Sequence, residues 1–137
     1  MIIRQMDIND YEEILKLWTE VPNVESNQLQ SKDKLERFLR KNSSYNLVCQ
    51  VNNKIIGTLL CGSDGQRAHI YHLAIREDYR SKETESYMIN ELIRKLKKDG
   101  VEECSLFVRD YNYEEQDFWI TEGWKESREL LIFSRKL

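Results

Sequence analysis

The chain has 137 residues, 40% of them hydrophobic and 33% charged, which suits one globular domain rather than a disordered chain. A net charge of −3 excludes a general affinity for nucleic acid or anionic lipid. No apolar run approaches the roughly 20 residues of a membrane span, and the opening MIIRQMDIND lacks a signal-peptide pattern. Cys49, Cys61 and Cys104 are odd in number, widely spaced and set in strand-like runs, so they read as reduced, buried thiols of a cytoplasmic protein rather than as a metal site.

In chain order, Ile2 to Met6 reads as a short strand. Asp7 or Asn9 then caps a helix whose Ile8, Tyr11, Ile14, Leu15 and Trp18 recur at helical spacing until Pro22 ends it. Val21 to Gln30 is polar and aperiodic, a loop. Ser31 caps a second helix with Leu35, Phe38 and Leu39 on its apolar face. From Tyr45 the period changes to two. Tyr45 to Val51 and Lys54 to Cys61 form a hairpin across Asn52-Asn53, and Gly62 to Gly65 turns the chain into a third strand, Ala68 to Ile75. Gly57 inside a strand marks a bulge or a close backbone approach. A long helix follows, with Met88, Ile89, Leu92, Ile93 and Leu96 on one face and Gly100 at its end. Val101 to Val108 is a fifth strand. Asn112 and Glu115 form a capping box for a last helix that stops at Gly123, and Glu129 to Arg135 is a final strand. The pattern is that of a single α+β domain over residues 1–137, with a mixed, mostly antiparallel sheet flanked by helices.

This order of elements resembles the GNAT superfamily of acetyl-coenzyme A-dependent N-acetyltransferases, and particular residues carry the likeness. Tyr71-His72-Leu73-Ala74-Ile75 followed by Tyr79-Arg80 is similar to the family's central strand and the loop after it. Asn112 with Phe118-Trp119 and Gly123-Trp124 is similar to its C-terminal segment, and Ile3-Arg4-Gln5-Met6-Asp7 with Asp10-Tyr11 to its beginning. Cys61-Gly62 and Asp64-Gly65 ahead of Tyr71-His72-Leu73-Ala74 resemble a small bacterial branch. The resemblance implies acetyl-CoA as acyl donor and a small-molecule or protein amine as acceptor. It also implies that Leu73, Ala74 and Ile75 pair their backbone with the pantetheine arm, and that Asn112 contacts the cofactor end of the site.

In the family, a loop reading Arg/Gln-x-x-Gly-x-Gly/Ala wraps the pyrophosphate. Here Arg80, Ser81, Lys82, Glu83, Thr84 and Glu85 occupy it, so Arg80 matches and both glycine positions hold glutamate. At positive φ each glutamate would cost about 1–2 kcal/mol; at helical φ only bulk and charge remain. A carboxylate aimed at a phosphate about 4 Å away meets about 4 kcal/mol of repulsion at an effective dielectric near 20. From Arg76 to Glu85 three positive residues face four negative ones, net −1. The expectation is a degenerate loop with weakened coenzyme A binding.

Transfer to an amine needs a base for the amine proton. His69, five residues before Ala74, stands where several family members hold a basic group, and Tyr71 shares its strand face by the period of two. An ordinary, partly exposed histidine is the alternative for His69. His72 falls on the opposite face and reads as a core or supporting residue. Trp119 replaces the tyrosine that serves as acid in the family; an indole N–H cannot deliver a proton, so packing beside Phe118 is its expected role. Three readings remain open from sequence: an N-acetyltransferase; a non-catalytic GNAT-like binding or regulatory domain with weak or no coenzyme A binding; or an acyl-carrier or unrelated small-ligand binder that uses the cleft without coenzyme A phosphates. Leu130 to Phe133 offers an exposed late strand through which a homodimer can form.

Overall fold

The computed structural model of the chain describes residues 1–21 and 31–137. Its elements are β1 (Ile2–Gln5), a 3-10 turn (Ile8–Asp10), α1 (Tyr11–Glu20), α2 (Lys32–Lys41), a 3-10 turn (Ser43–Tyr45), β2 (Leu47–Val51), β3 (Lys54–Ser63), β4 (Arg67–Ile75), a 3-10 turn (Glu77–Tyr79), α3 (Lys82–Lys98), β5 (Glu103–Leu106) and α4 (Tyr113–Thr121). They fall into two units, Met1–Phe107 and Val108–Leu137. The loop expected over Val21 to Gln30 lies, from residue 22 on, outside the described residues.

In the first unit one sheet runs β1-β2-β3-β4-β5, antiparallel throughout except for the parallel β4–β5 pair. This is the mixed, mostly antiparallel sheet the sequence implies. Asn52 and Asn53 take φ of 51° and 64°, the left-handed pair a two-residue hairpin needs, and so fix the β2–β3 register. Thr58 and Gly57, successive residues of β3, show how the helices divide between the faces. Thr58 is fully buried and accepts the Trp18 indole N–H of α1 at 2.8 Å. On the other side a Cβ at Gly57 would sit 2.7 Å from Ile75 Cδ1 and 3.1 Å from Met88 Sδ of α3. A side chain there would have to push aside the ends of the Ile75 and Met88 side chains. Ile14, Leu17 and Trp18 of α1 and Leu35 and Leu39 of α2 cluster with Leu60 and Ala74 on the first face. Met88, Ile89, Leu92 and Leu96 are the buried stripe of α3.

Two bulges interrupt the ladders, and both matter for side-chain direction. Gly57 pairs Cys49 while Ile55 pairs Gln50, which leaves Ile56 extra on β3. Leu60 pairs His72 while Cys61 pairs Ile70, which leaves Tyr71 extra on β4. Beside each bulge a side chain takes a backbone N–H: Glu13 accepts from Ile55, and Asn46 Oδ1 accepts from Cys61 at 2.9 Å. Asn46 is fully buried and its Nδ2 donates to Asn42 O at 2.6 Å, so no polar atom of that amide is stranded.

The bulge corrects one expectation. A strict period of two puts His72 on the face opposite Tyr71. Tyr71 instead packs on Phe38 of α2 at 5.5 Å between centroids, while His72 packs on Trp18 of α1 at 5.0 Å. Both helices belong to the same core cluster, so the two residues share the α1/α2 side. The extra residue in β4 resets the alternation between them.

The ends of the chain also depart from expectation. β5 is shorter than Val101 to Val108, because Val101 is already committed to the stop of α3. Its N–H bonds Leu96 O at 3.0 Å and the Gly100 N–H bonds Lys97 O at 3.1 Å, a Schellman ending. In the second unit, Trp124 N–H bonds Trp119 O at 2.9 Å and Gly123 N–H bonds Ile120 O at 3.0 Å, ending α4 in the same way. Beyond it, no strand forms over Glu129 to Arg135. That run has no ladder partner among the described residues, and an unpaired extended segment is not a strand. Among the described residues no helix is long and apolar enough to cross a membrane.

Candidate active site

β4 organises the site because its two halves have different neighbours. Arg67 to Ile70 is hydrogen-bonded on both sides, to β3 and to β5. From Tyr71 to Ile75 only β3 remains, because β5 ends its pairing at Ile70↔Leu106. Among the described residues, the edge of β4 that carries Leu73, Ala74 and Ile75 is therefore open to an extended ligand. Leu73, Ala74 and Ile75 themselves are held in register by Leu59, Thr58 and Gly57.

At the start of β4 an open groove of about 400 Å3 is lined by Asn42, Gly62, Ser63, Asp64, Arg67, Ala68, His69, Tyr71 and Ser105. His69 and Tyr71 thus come together, with ring centroids 4.8 Å apart. His69 Nδ1 lies 3.1 Å from Ser105 Oγ, and Nε2 has no hydrogen-bond partner among the described residues. With Nδ1–H donated to Ser105, Nε2 carries the lone pair a base needs. Partial burial lowers the His69 pKa below its ordinary 6.5, so the ring is neutral at pH 7. Gly62 makes room for the neighbouring ring: a Cβ there would stand 3.1 Å from Tyr71 Cε2 and 3.2 Å from Asn42 Oδ1. Asn42 Oδ1 in turn accepts from Ser63 N at 3.2 Å. Asp64 closes the turn by accepting from the N–H groups of Gln66 and Arg67, both at 2.8 Å, and these bonds hold its carboxyl below the usual range.

His72 lies outside this groove. Both ring nitrogens are buried without a hydrogen-bond partner, and desolvation pushes the pKa down to about 4. It serves as a neutral ring against Trp18.

The loop after β4 is occupied by its own ion pairs. Arg76 reaches Asp78 at 3.1 Å, and Arg80 reaches Glu85 at 3.8 Å, with Glu85 mostly sheltered and Arg80 half exposed. Ser81 caps α3 by accepting the Thr84 N–H at 3.3 Å, and Lys82 is the first helical residue. Glu83 and Glu85 lie within the first turn of α3, and neither has positive φ, so no backbone strain attaches to either. Glu83 is exposed. Their effect is one of charge and bulk alone.

In the second unit Asn112 caps α4, but the expected capping box does not close, because the Asn112 backbone N–H donates to Arg109 O rather than to Glu115. Asn112 Oδ1 accepts the Glu115 N–H and Asn112 Nδ2 donates to Glu115 Oε2, both at 3.1 Å. Trp119 packs edge-on against Phe118 at 5.2 Å and Trp124 at 5.0 Å, and its indole N–H points to Glu115 Oε1 at 3.4 Å. It occupies the position whose carbonyl accepts the Schellman bond of α4, and Trp124 supplies the apolar contact that accompanies that motif.

Sequence reasoning passed over Asn42, Gly62, Asp64, Arg67 and Ser105 as site residues. Gly62 and Asp64 lay in the quoted Cys61-Gly62…Asp64-Gly65 segment, but only the fold shows which side of the turn faces His69.

The family model for the GNAT acetyltransferases matches residues 11–122. The chain belongs to the GNAT acetyltransferase family. An acetyltransferase of Yersinia pestis (strain Pestoides F) is 28% identical over 143 residues, covering 100% of this chain and 96% of that protein. An acetyltransferase of Sodalis glossinidius is 30% identical over 112 residues, covering 82% of this chain and 78% of its own length. Among solved structures, the PaiA N-acetyltransferase of Thermoplasma acidophilum in complex with coenzyme A superposes with a TM-score of 0.81 at 22% identity, over 90% of this chain and 89% of that one. An aminoglycoside acetyltransferase from an uncultured soil metagenomic sample, in complex with sisomicin, gives 0.77 at 20% identity, over 99% and 95%. At these identities the structures share the GNAT fold with this chain.

Proposed function

We propose that this GNAT protein transfers an acetyl group from acetyl-CoA to a primary amine, with His69 as the base. The observation that carries the reading is the division of β4: a backbone edge over Tyr71 to Ile75 that is unpaired among the described residues continues directly into a groove holding a neutral imidazole. The backbone of Leu73, Ala74 and Ile75 holds the pantetheine arm as an added strand would be held. Acetyl-CoA supplies the thioester carbonyl carbon, on which the amine nitrogen forms a C–N bond while the C–S bond breaks. His69 Nε2 takes the proton from the ammonium, directly or through one water, and Ser105 fixes the ring that does so. Tyr71 forms the wall beside it. The leaving thiolate is protonated from solvent, because Trp119 offers no acid.

Arg80, Ser81 and Lys82 form the phosphate end. The Glu85 carboxylate 3.8 Å from Arg80 Nε offsets part of the arginine's charge, so coenzyme A binding is weaker than an unopposed arginine would give, and the loop is degenerate in that sense. Asn112 at the start of α4 contacts the cofactor end of the site through the second lone pair and second N–H that its bonds to Glu115 leave free. The free thiols of Cys49, Cys61 and Cys104 suit a reducing cytoplasm. Leu130 to Phe133, each residue between 63% and 92% exposed, is the segment through which two copies pair. A monomer at all concentrations in sedimentation would remove that element of the proposal.

The test of the chemistry is the pH profile of acetyl transfer. With His69 as base, kcat/KM rises with pH through an inflection below 6.5, as the ring loses its proton. His69→Gln should lower the rate by about 10²-fold and abolish the inflection. Retention of the inflection in that variant would place the base elsewhere.

A further inference from the structure

In sequence Cys49, Cys61 and Cys104 are too widely spaced to suggest a site, but the sheet brings two of them together. Cys61 of β3 stands opposite Ile70 and Cys104 of β5 opposite Ala68, so the pair straddles the half of β4 that is bonded on both sides. Gly62 and Ser105, the residues that follow them, line the groove. Successive residues of a strand point to opposite faces, so both cysteine side chains leave the sheet on the side away from the groove. Ala68, the residue of β4 between them, carries only a methyl and leaves room for the two thiols to meet. The Cys61 S–H is directed at the Cys104 sulfur, which favours the Cys104 thiolate and holds its pKa below the ordinary thiol value. Cys61 is fully buried and Cys104 partly exposed, while Cys49 lies on β2 opposite Gly57 and takes no part.

The chemistry open to this pair is narrow. Neighbouring strands are about 4.8 Å apart, so β3 and β5 lie about 9–10 Å apart across β4, whereas a disulfide needs Cα atoms within about 7 Å. The pair stays a dithiol unless the sheet is broken. No third ligand joins it. Among the described residues, no group of three or more His, Cys, Asp or Glu side chains is placed to hold a metal ion. Tyr45 lies close enough to Cys61 to feel its charge, but it donates its O–H to Asp99 at 2.5 Å, and that bond, with burial, pushes the phenol pKa up to about 12. Zinc, which takes four ligands, and the oxygen-seeking ions magnesium and calcium do not fit such a set. Two sulfurs alone suit a soft ion that is content with two ligands.

We propose that Cys61 and Cys104 form a two-sulfur site for a soft monovalent cation, copper(I) above all. The ion enters past Cys104, makes one Cu–S bond to each sulfur and releases the two thiol protons. The inference goes beyond the acetyltransferase reading and does not rest on it.

The test is competition for copper(I), anaerobically and with a reductant that is not a thiol. The full chain is titrated against the coloured copper(I) complex of bathocuproine disulfonate, and loss of colour measures transfer to the protein. The wild type should withdraw one copper per chain, and X-ray absorption of the loaded protein should show two sulfur neighbours. Cys104→Ser and Cys61→Ser should each weaken uptake by about 10²-fold or more, the upper end of what even an outer-sphere change costs. Cys49→Ala should leave uptake as it is. Cys104 is partly exposed, so Cys104→Ser should melt with the wild type and decides the matter even where Cys61→Ser does not fold. No copper taken from the chelator, uptake surviving in Cys104→Ser, uptake that depends on Cys49 instead, or nitrogen neighbours in the absorption spectrum would each overturn the inference. Diamide treatment followed by intact mass gives a second check. Both thiols should remain free, and a Cys61–Cys104 disulfide would overturn the strand separation on which the site depends.

Discussion

Glu85→Gln should tighten coenzyme A binding, and the size of the effect follows from the ion pair. Arg80 and Glu85 are 3.8 Å apart, where two unit charges interact by about 4 kcal/mol at an effective dielectric near 20. Arg80 is half exposed, so solvent reduces the net worth of the pair to about 0–1 kcal/mol. Losing the pair therefore destabilises the fold little. The gain on the ligand side has two parts, a guanidinium freed for the pyrophosphate and one negative charge fewer beside it. After the same screening, about 1 kcal/mol remains, a decrease in Kd of about fivefold. Titration calorimetry with coenzyme A measures it, with pantetheine as control because it carries no phosphate. The expected result is tighter coenzyme A and unchanged pantetheine. Glu83→Gln, at an exposed position, should change either ligand by less than about twofold. Glu85→Gln with unaltered coenzyme A affinity, or with an equal gain for pantetheine, would refute the reasoning.

His72 has a pKa of about 4 in the fold against 6.5 for a free ring, so between these values the unfolded chain binds the proton more readily. Stability should be flat above about pH 6.5, fall as pH drops to about 4, and lose about 3 kcal/mol in all from this group. His72→Phe keeps the ring on Trp18 and should remove that part of the slope in urea melts taken across the window; an identical slope would show that the buried ring is not the titrating group. Asn46→Leu leaves the Cys61 N–H at the β4 bulge unpaired and should cost about 1–3 kcal/mol in chemical denaturation. A cost near zero would mean that water replaces the amide there.

Caps, turns and apolar stripes were legible in the residues because each is a local matter. Asn52-Asn53, Ser31, Ser81, Asn112 as a helix cap, and Gly57 all act as their positions imply, while the capping box expected of Asn112 with Glu115 does not close. The direction of His72 was not legible, because one unpaired residue in β4 reverses the alternation and nothing in Tyr71-His72 announces it. The extent of β5 and of the last strand depends on ladder partners distant in sequence, which periodicity cannot supply. The two glutamates were recognisable as anomalies. Which one engages Arg80 is a question of side-chain geometry, and only the folded loop answers it. His69 was placed by the family resemblance, but Ser105 and Phe107, its neighbours across the parallel β4–β5 pair, come from a segment 36 residues or more away.

Amine-dependent release of free coenzyme A from acetyl-CoA, with the N-acetyl product identified by mass, tests the central claim most directly. The account predicts release that requires both protein and amine, and that falls by about 10²-fold in His69→Ala. Release no faster than without protein, under conditions where calorimetry shows acetyl-CoA bound, would contradict it, as would a His69→Ala variant working at the wild-type rate.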